Sequence, residues 1–166
     1  MTQNVWKGLL AGAIAGLVGT AVKTLWEEFA PARPEDTTSP PLVLADRVKE
    51  QTVGGPVPES SKPIVEQSIH WAFGTGIGAL YGAVAELVPQ AQKGAGSPLG
   101  LALYGATHGS VLPMLNAEPW PLQRPAKFVS SEFSGHILYG LAVEITRRKV
   151  RELLDDRDIQ DTLSFS

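Results

Sequence analysis

The sequence predicts an all-α fold, an integral membrane bundle of four transmembrane helices with glycine-zipper packing. Charge is segregated along the chain, because residues 8–22, 71–85 and 99–117 contain no Asp, Glu, Lys or Arg. A soluble amphipathic helix normally carries charge along one face, so these uncharged runs favour lipid. The 17 glycines are the second observation, since small residues let helix backbones approach closely in a bilayer. The mean hydropathy of +0.01 then averages a membrane part and a water-exposed part.

Four apolar stretches predict the helices, and each approaches the ~17–25 residues that cross ~30 Å of hydrocarbon. We place the helices at about residues 5–26, 69–88, 98–115 and 128–152, the last of which emerges into water after residue 143. Residues 1–166 are expected to form a single membrane domain. Tryptophans fall at or near the proposed ends, as in the aromatic belts of membrane proteins, and they are Trp6, Trp26, Trp71 and Trp120.

The loops and the basic residues predict the orientation. Residues 29–68 form a long polar loop, in which residues 42–48 have the pattern of a short amphipathic helix on the membrane surface. A basic cluster follows the fourth stretch and is expected in the cytoplasm; it consists of Arg147, Arg148, Lys149 and Arg151. The C-terminus is therefore expected to be cytoplasmic. With four crossings the N-terminus is cytoplasmic too, and loop 29–68 lies outside.

Two other interpretations of the apolar stretches stay open. Residues 1–32 could be a cleaved signal peptide with Ala30-Pro31-Ala32 at the cleavage site, although Trp26, Glu27 and Glu28 separate the apolar run from that site. A soluble helical bundle with a Gly/Ala-rich core is the second interpretation. It is weakened because each glycine in a water-exposed helix costs about 1 kcal/mol relative to alanine.

Small residues recur every four positions in these stretches, which places them on one face of each helix. Such faces are typical of helices whose backbones pack closely in lipid. The expected packing residues are Gly8, Gly12 and Gly16 in the first stretch, Gly74, Gly78 and Gly82 in the second, Gly105 and Gly109 in the third, and Gly140 in the fourth.

Ionisable residues share these stretches. An ionisable side chain in hydrocarbon costs several kcal/mol unless it is paired or hydrated, so each one is a candidate functional residue. The candidates for binding a ligand or handling protons are His70, Glu86, His108, Glu132, His136 and Glu144. His108 and His136 are expected deepest in the bundle, facing its interior near an acid such as Glu132. Glu86 and Glu144 are expected near the inner surface. The alternative for each imidazole is a structural hydrogen bond to a neighbouring helix.

The sequence argues against several other classes of protein. The net charge of −3 gives no sign of nucleic-acid binding, and the absence of cysteine removes thiolate metal sites and cysteine nucleophiles. Residues 74–78 resemble a dinucleotide-binding glycine pattern but lie inside an apolar helix with no preceding strand. The histidines and acids are spread over three helices at different depths. No metal site or cofactor is therefore expected, and the chain is not expected to be an enzyme.

Several motifs are shared with a known family. They are Val22-Lys23 with the Pro-rich stretch through Arg33, His70, residues 81–89, Gly100, His108 and Pro113, and most specifically Ser131-Glu132, Gly135-His136 and residues 144–148. On these motifs the chain resembles the YagU-type family of bacterial inner-membrane proteins, which has no assigned biochemical activity. The resemblance implies an inner-membrane location and an association with tolerance of acid stress. It also implies that five candidates belong to the family pattern, namely His70, Glu86, His108, His136 and Glu144.

These observations predict an inner-membrane protein whose buried His/Glu stripe senses protons, or lines a path for protons or a small solute. Imidazole suits this role because its unperturbed pKa of ~6.5 lets modest changes in its surroundings switch its charge. The alternative is an assembly or scaffolding subunit of a membrane complex that docks through its glycine-rich helix faces. The expected partners are the lipid bilayer and either a second copy of the chain or a membrane complex.

Overall fold

The computed structural model describes residues 3–164, with side chains as far as residue 156. The described residues are all-helical in fold and contain no strand. The helices are α1 (Val5–Phe29), α2 (Pro40–Thr52), α3 (Lys62–Leu87), α4 (Ser97–Ala106), α5 (Leu112–Met114) and α6 (Ala126–Ser164). A π-helical turn (Thr107–Val111) joins α4 to α5. The predicted domain ends and the expected cytoplasmic termini fall on residues 1, 2, 165 and 166, which lie outside the described residues.

Helix α1 occupies the centre of the fold, because it packs against both α3 and α6. Glycines make the α1–α3 contact. A Cβ atom added to Gly12 would lie under 3.0 Å from backbone atoms of Gly78 and Gly82, so only glycine permits this approach. The glycines predicted to pack in these two helices all lie in this contact, namely Gly8, Gly12, Gly16, Gly74, Gly78 and Gly82.

The opposite side of α1 packs on α6. Gly19 lies against Tyr139 and Val143 of α6, and the same two side chains cluster with Ala15 and Tyr81 to form the hydrophobic core. The core therefore pairs small residues on α1 with large ones on its neighbours. This arrangement keeps the helix axes close without leaving a void.

Helix α4 and the turn before it also pack on α6 through glycines. Of the glycines predicted for the third and fourth stretches, only Gly140 takes part in this contact. Gly96 has a φ of +90° and lies against Gly140, so both its backbone conformation and its space require glycine. Gly100 lies against the His136 carbonyl. The prediction for Gly105 and Gly109 is wrong, because a Cβ atom at Gly105 would meet no atom within 4 Å, and one at Gly109 would meet only the Tyr104 oxygen at 3.6 Å. Gly105 follows Gly100 by five positions, which is one full turn of helix plus about 140°, so Gly105 faces away from the α6 contact.

The long helices run up and down in alternation. At one end, which we call the basic end, the Lys7 ammonium near the start of α1 lies 3.0 Å from Asp155 in the last part of α6. At the opposite end, the Trp26 indole donates a hydrogen bond of 3.1 Å to the Ser131 carbonyl near the start of α6. Helices α1 and α6 are therefore antiparallel, and the α3–α4 connection returns at the basic end, where Arg148 donates to the Gln92 carbonyl at 2.8 Å.

Helices α2 and α3 extend beyond the stretches predicted for them. Helix α2 spans Pro40–Thr52 where residues 42–48 were expected, and α3 begins at Lys62, within the expected polar loop 29–68. Both helices have proline in their first turn, a position that proline favours because its fixed φ suits the helix start. Hydrophobicity therefore marks the apolar part of each helix and not its true beginning.

Within residues 3–164, one helix is long and apolar enough to cross a membrane by length and composition. This helix is α1, with a mean hydropathy of 1.6 over its most apolar window. The helices at the other three predicted spans are either too short or too low in mean hydropathy to count as membrane-spanning by length and composition. Glycine, histidine and glutamate dilute the apolar residues of α3 and α6, and α4 ends after 10 residues at the π-helical turn.

Candidate functional site

A cavity of about 280 Å³ lies between α3 and α4, which have almost no direct contact with each other. Its walls are mostly apolar and include Phe73 and Leu103, and α2 contributes Pro41 and Leu44. Its polar part is formed by buried side chains from α1, the π-helical turn and α6. We call three of these, His108, Glu132 and His136, the His–Glu cluster.

Glu132 is the centre of the cluster and is 1% exposed. Its Oε1 accepts a hydrogen bond of 2.9 Å from the Lys23 ammonium. The same oxygen lies 3.3 Å from His108 Nε2 and 3.4 Å from His136 Nδ1. The other oxygen, Oε2, is buried and has no hydrogen-bond partner among the described residues. A buried acceptor that has lost its water and gained no hydrogen bond costs free energy. A donor or a cation bound next to Oε2 would remove that cost.

The π-helical turn places His108 in this site. A π-helical turn accommodates one extra residue and is frequent at functional sites. His108 Nδ1 lies 2.7 Å from Glu118 Oε1, and Arg124 donates to the other Glu118 oxygen at 3.1 Å. A carboxylate can only accept, so Nδ1 donates to Glu118, and Nε2 is the nitrogen that faces Glu132.

His136 reaches the cluster from the same helix as Glu132. The two residues are four positions apart, which places them on one face of α6. His136 Nδ1 donates a hydrogen bond of 2.8 Å to the Glu132 carbonyl. The His108 and His136 rings lie 5.1 Å apart between centroids, and the Tyr104 ring packs edge-on against His136 at 5.8 Å. These contacts fix the orientation of both imidazoles.

Lys23 places a positive charge directly against Glu132. Its ammonium contacts Glu27 on the same helix as well as Glu132. The cavity wall carries a second cation, the Arg33 guanidinium, which lies 3.7 Å from Glu66. The feature that favours an additional cation is therefore local: it is the buried Glu132 Oε2, which has no hydrogen-bond partner among the described residues.

The remaining predicted candidates do not join the cluster. His70 lies on the cavity wall, where its Nε2 is 3.4 Å from Thr24 Oγ1. Glu144 follows His136 by eight residues, which is about 12 Å along α6. It accepts hydrogen bonds from Tyr81 at 2.9 Å and from Arg147 at 2.7 Å.

Glu86 belongs to an ion-pair network at the basic end of the bundle. Arg151 lies 2.6 Å from a Glu86 oxygen and also pairs with Asp155. The hydrogen bonds from Arg151 and Lys7 hold the pKa of Asp155 below its ordinary value. Glu86 and Asp155 thus tie the ends of α1, α3 and α6 together, which is a structural role.

The expected approach of His108 and His136 to an acid is confirmed for Glu132. The argument against a metal site rested on the spread of the histidines and acids over three helices at different depths, and it does not hold for these three residues. Donor atoms of His108, Glu132 and His136 all lie within 4.8 Å of one another, in a group that could hold a metal ion. The sequence pattern fixes only the Glu132–His136 spacing. The approach of His108 depends on how α4 packs against α6.

Three residues of the site were not predicted: Lys23, Glu118 and Arg124. Lys23 stands near the end of an apolar stretch, where a basic residue is commonly a boundary marker. Its place in the Val22-Lys23 motif is the one signal that could have identified it. Glu118 and Arg124 lie in a Pro-rich loop, and nothing local to that loop shows that it folds back to His108.

Fold and site together define a class of protein: in the part of the chain that the structure describes, it is all-helical, with one candidate membrane-spanning helix and a buried His–Glu cluster beside a cavity. A family model described as "Protein of unknown function (DUF1440)" matches residues 17–145. The chain belongs to this family, and the matched region contains Lys23 and the whole His–Glu cluster. Comparisons with curated proteins and with solved structures found no match.

Proposed function

We propose that the chain is a non-enzymatic, multi-pass protein of the bacterial inner membrane, of the YagU type, whose helices enclose a binding site for a small cationic solute. The observation that carries this proposal is the buried Glu132 Oε2, which lies beside the cavity and has no hydrogen-bond partner among the described residues. A cation in the cavity supplies the partner that this oxygen lacks. It also offsets the cost of keeping the carboxylate away from water.

The distribution of apolar residues supports a membrane location. Helix α1 turns its small residues inward and large apolar ones outward, with Leu10 51% and Leu25 61% exposed. Leu80 of α3 and Leu101 of α4 are also more than half exposed. Large apolar side chains on the outside and glycines within is the arrangement expected of helices in lipid.

The central position of α1 supports a four-span bundle over a cleaved signal peptide. This helix packs against both α3 and α6 and contributes Lys23 to the site. Its removal would expose the glycine face of α3 and leave Glu132 without its ammonium partner. The basic cluster at one end of the bundle favours that end in the cytoplasm. The cavity, with α2 beside it, then lies toward the outer face.

The assembly alternative has less support. A docking role through glycine-rich faces requires those faces to be available, whereas Gly12, Gly78 and Gly140 are all covered by helices of the same chain. Of the predicted packing glycines, Gly105 and Gly109 are the two left open to a partner. Proton sensing and the association with acid-stress tolerance stay predictions from the sequence and the family resemblance.

Cysteine labelling tests the topology, and the absence of natural cysteine makes each introduced thiol unique. Thr52→Cys and Gln123→Cys lie at the proposed outer end, and Lys93→Cys lies at the basic end. In intact spheroplasts, a membrane-impermeant maleimide is expected to label the first two variants, and Lys93→Cys only after the membrane is opened. Recovery of the chain in the soluble fraction, or equal labelling of all three in intact spheroplasts, contradicts the multi-pass proposal.

A second labelling experiment tests the cavity. Leu103→Cys lies on the cavity wall, and Leu101→Cys on the same helix is its outward-facing control. A positively charged methanethiosulfonate is expected to react with Leu103→Cys faster than a negatively charged one, and Glu132→Gln is expected to reduce the difference. Leu101→Cys should show no such dependence on Glu132. Equal rates for both reagents at Leu103→Cys would rule out a cation-selective cavity.

A further inference from the structure

We propose that the His–Glu cluster binds one divalent transition-metal ion of the zinc class, with His108, Glu132 and His136 as its three protein ligands. The inference rests on the proposed function and deepens it by naming the class of cation. It is carried by the donor geometry of the three residues around Glu132 Oε1, by the groups that orient them, and by the second Glu132 oxygen, Oε2, which has no partner among the described residues.

The donor spacing fits a small tetrahedral ion. Zinc lies about 2.0–2.1 Å from histidine nitrogens and carboxylate oxygens, so neighbouring donors in a tetrahedral site are about 3.3 Å apart. Glu132 Oε1 lies 3.3 Å from His108 Nε2 and 3.4 Å from His136 Nδ1. These separations are longer than strong hydrogen bonds and match the edges of such a tetrahedron. The fourth position is then left to water or another solute in the adjoining cavity.

The groups behind the ligands also match those of metal sites. A histidine that ligates a metal usually donates its other nitrogen to a carboxylate or a carbonyl, which fixes the ring and its tautomer. His108 has this arrangement, because Nδ1 meets Glu118 and Nε2 faces Glu132. Arg124 holds Glu118 in turn. Nε2 and the Glu132 oxygen face each other across 3.3 Å, a separation that a metal ion bound to both atoms would bridge.

His136 exchanges a hydrogen bond for a bond to the metal. Its Nδ1 donates to the Glu132 carbonyl. When the ion binds Nδ1, the ring gives up this hydrogen bond and changes tautomer: the Nδ1 proton leaves to water and Nε2 takes up a proton, so the ligand is a neutral imidazole. The Glu132 carbonyl remains within α6, where it also serves as a helical acceptor.

Without a metal, the Lys23 ammonium is the cation that contacts Glu132. Its ammonium lies 2.9 Å from Glu132 Oε1, so it competes with a metal for the same oxygen. Glu27, one turn further along α1, already contacts the same ammonium and offers it a second partner. Entry of the metal therefore moves Lys23 toward Glu27 without leaving a buried ammonium unpaired.

The donor set selects the class of metal. Two imidazole nitrogens and one carboxylate suit Zn²⁺ and related transition metals, whereas Mg²⁺ and Ca²⁺ prefer all-oxygen surroundings. A large excess of Mg²⁺ or Ca²⁺ is therefore not expected to displace zinc from the site.

The test is metal binding by the full chain, purified in detergent without a polyhistidine tag and stripped with a chelator. Zn²⁺ titrated against a chromophoric chelator is expected to give one bound ion per chain. Co²⁺ in its place is expected to give the intense visible absorption of a four-coordinate site. The absence of stoichiometric zinc binding would overturn the inference.

Matched variants separate the cluster from incidental binding. His108→Ala, Glu132→Gln and His136→Ala each remove one donor, and each is expected to weaken zinc binding more than about 100-fold. Loss of an outer-shell partner, as in Glu118→Gln, is expected to weaken it about 10–100-fold. His70→Ala removes the third histidine of the chain, which is not a ligand, and should leave zinc affinity unchanged. Equal loss in His70→Ala and His108→Ala would refute the assignment.

Lys23→Gln provides a second test of the metal site if a ligand variant does not fold. All three donors remain in this variant, and the competing ammonium is gone, so zinc is expected to bind more tightly than to the native chain. Unchanged or weaker binding in folded Lys23→Gln contradicts the site. The labelling experiments report on the membrane and the cavity independently of zinc. A labelled cavity without metal binding overturns only the metal, and metal binding by a water-soluble chain overturns only the membrane proposal.

Discussion

The α1–α3 contact makes a specific prediction about stability. A Cβ atom added to Gly78 would lie 2.5 Å from both the Gly12 carbonyl oxygen and the Gly16 Cα, whereas ordinary contacts are 3.4–4 Å. Both neighbours are backbone atoms, which cannot rotate away. Gly78→Ala therefore forces α1 and α3 apart by about 1 Å, enough to forfeit up to half of the dispersion energy of their closest contacts.

Gly76 on the same helix is the matched control, because a Cβ atom there would meet nothing within 4 Å. Both substitutions gain a similar helix propensity, about 1 kcal/mol in water. The difference between the two variants therefore isolates overpacking, which costs about 1–3 kcal/mol. Gly78→Ala is expected to be less stable than Gly76→Ala by that amount, measured by denaturant unfolding in detergent micelles. Equal stability of the two variants would refute the close approach of α1 and α3.

Two further predictions concern the polar contacts around the basic end. Tyr81→Phe removes a hydroxyl that lies 2.9 Å from the buried Glu144 carboxylate, and it is expected to cost about 1.5–3 kcal/mol of unfolding free energy, since hydrogen bonds to charged groups are strong. A variant as stable as the native chain would show that Arg147 and Arg148 satisfy Glu144 by themselves. The second prediction concerns Asp155, whose pKa is held below its ordinary value by Arg151 and Lys7. Its contribution to stability is therefore present above the ordinary value and is lost as the pH falls through the lowered one. Native and Asp155→Asn chains should differ in stability near about pH 7, and the difference should shrink as the pH falls below about 3.9, the ordinary pKa of Asp, so a constant difference would contradict the ion pair.

The sequence by itself determined the helical class and the faces on which α1 and α3 meet. Apolar stretches marked α1 to within a few residues, because a long run of Leu, Ile, Val and Ala has no other stable arrangement. The four-residue spacing of glycine marked the α1–α3 contact, because residues four apart share a face whatever the neighbour is. For the same reason Glu132 and His136 could be placed together from their numbers alone.

Tertiary structure decided which residues complete the site. Lys23 lies 109 positions from Glu132 in the sequence, and their contact depends on how α1 is rotated against α6. That rotation is set by Gly19 packing against Tyr139 and Val143, which no single-helix pattern specifies. The turn that carries His108 is π-helical, so its position departs from the regular 3.6-residue period. Spacing within a helix is fixed by the chain, whereas the approach of side chains on different helices is fixed only when the backbones have packed.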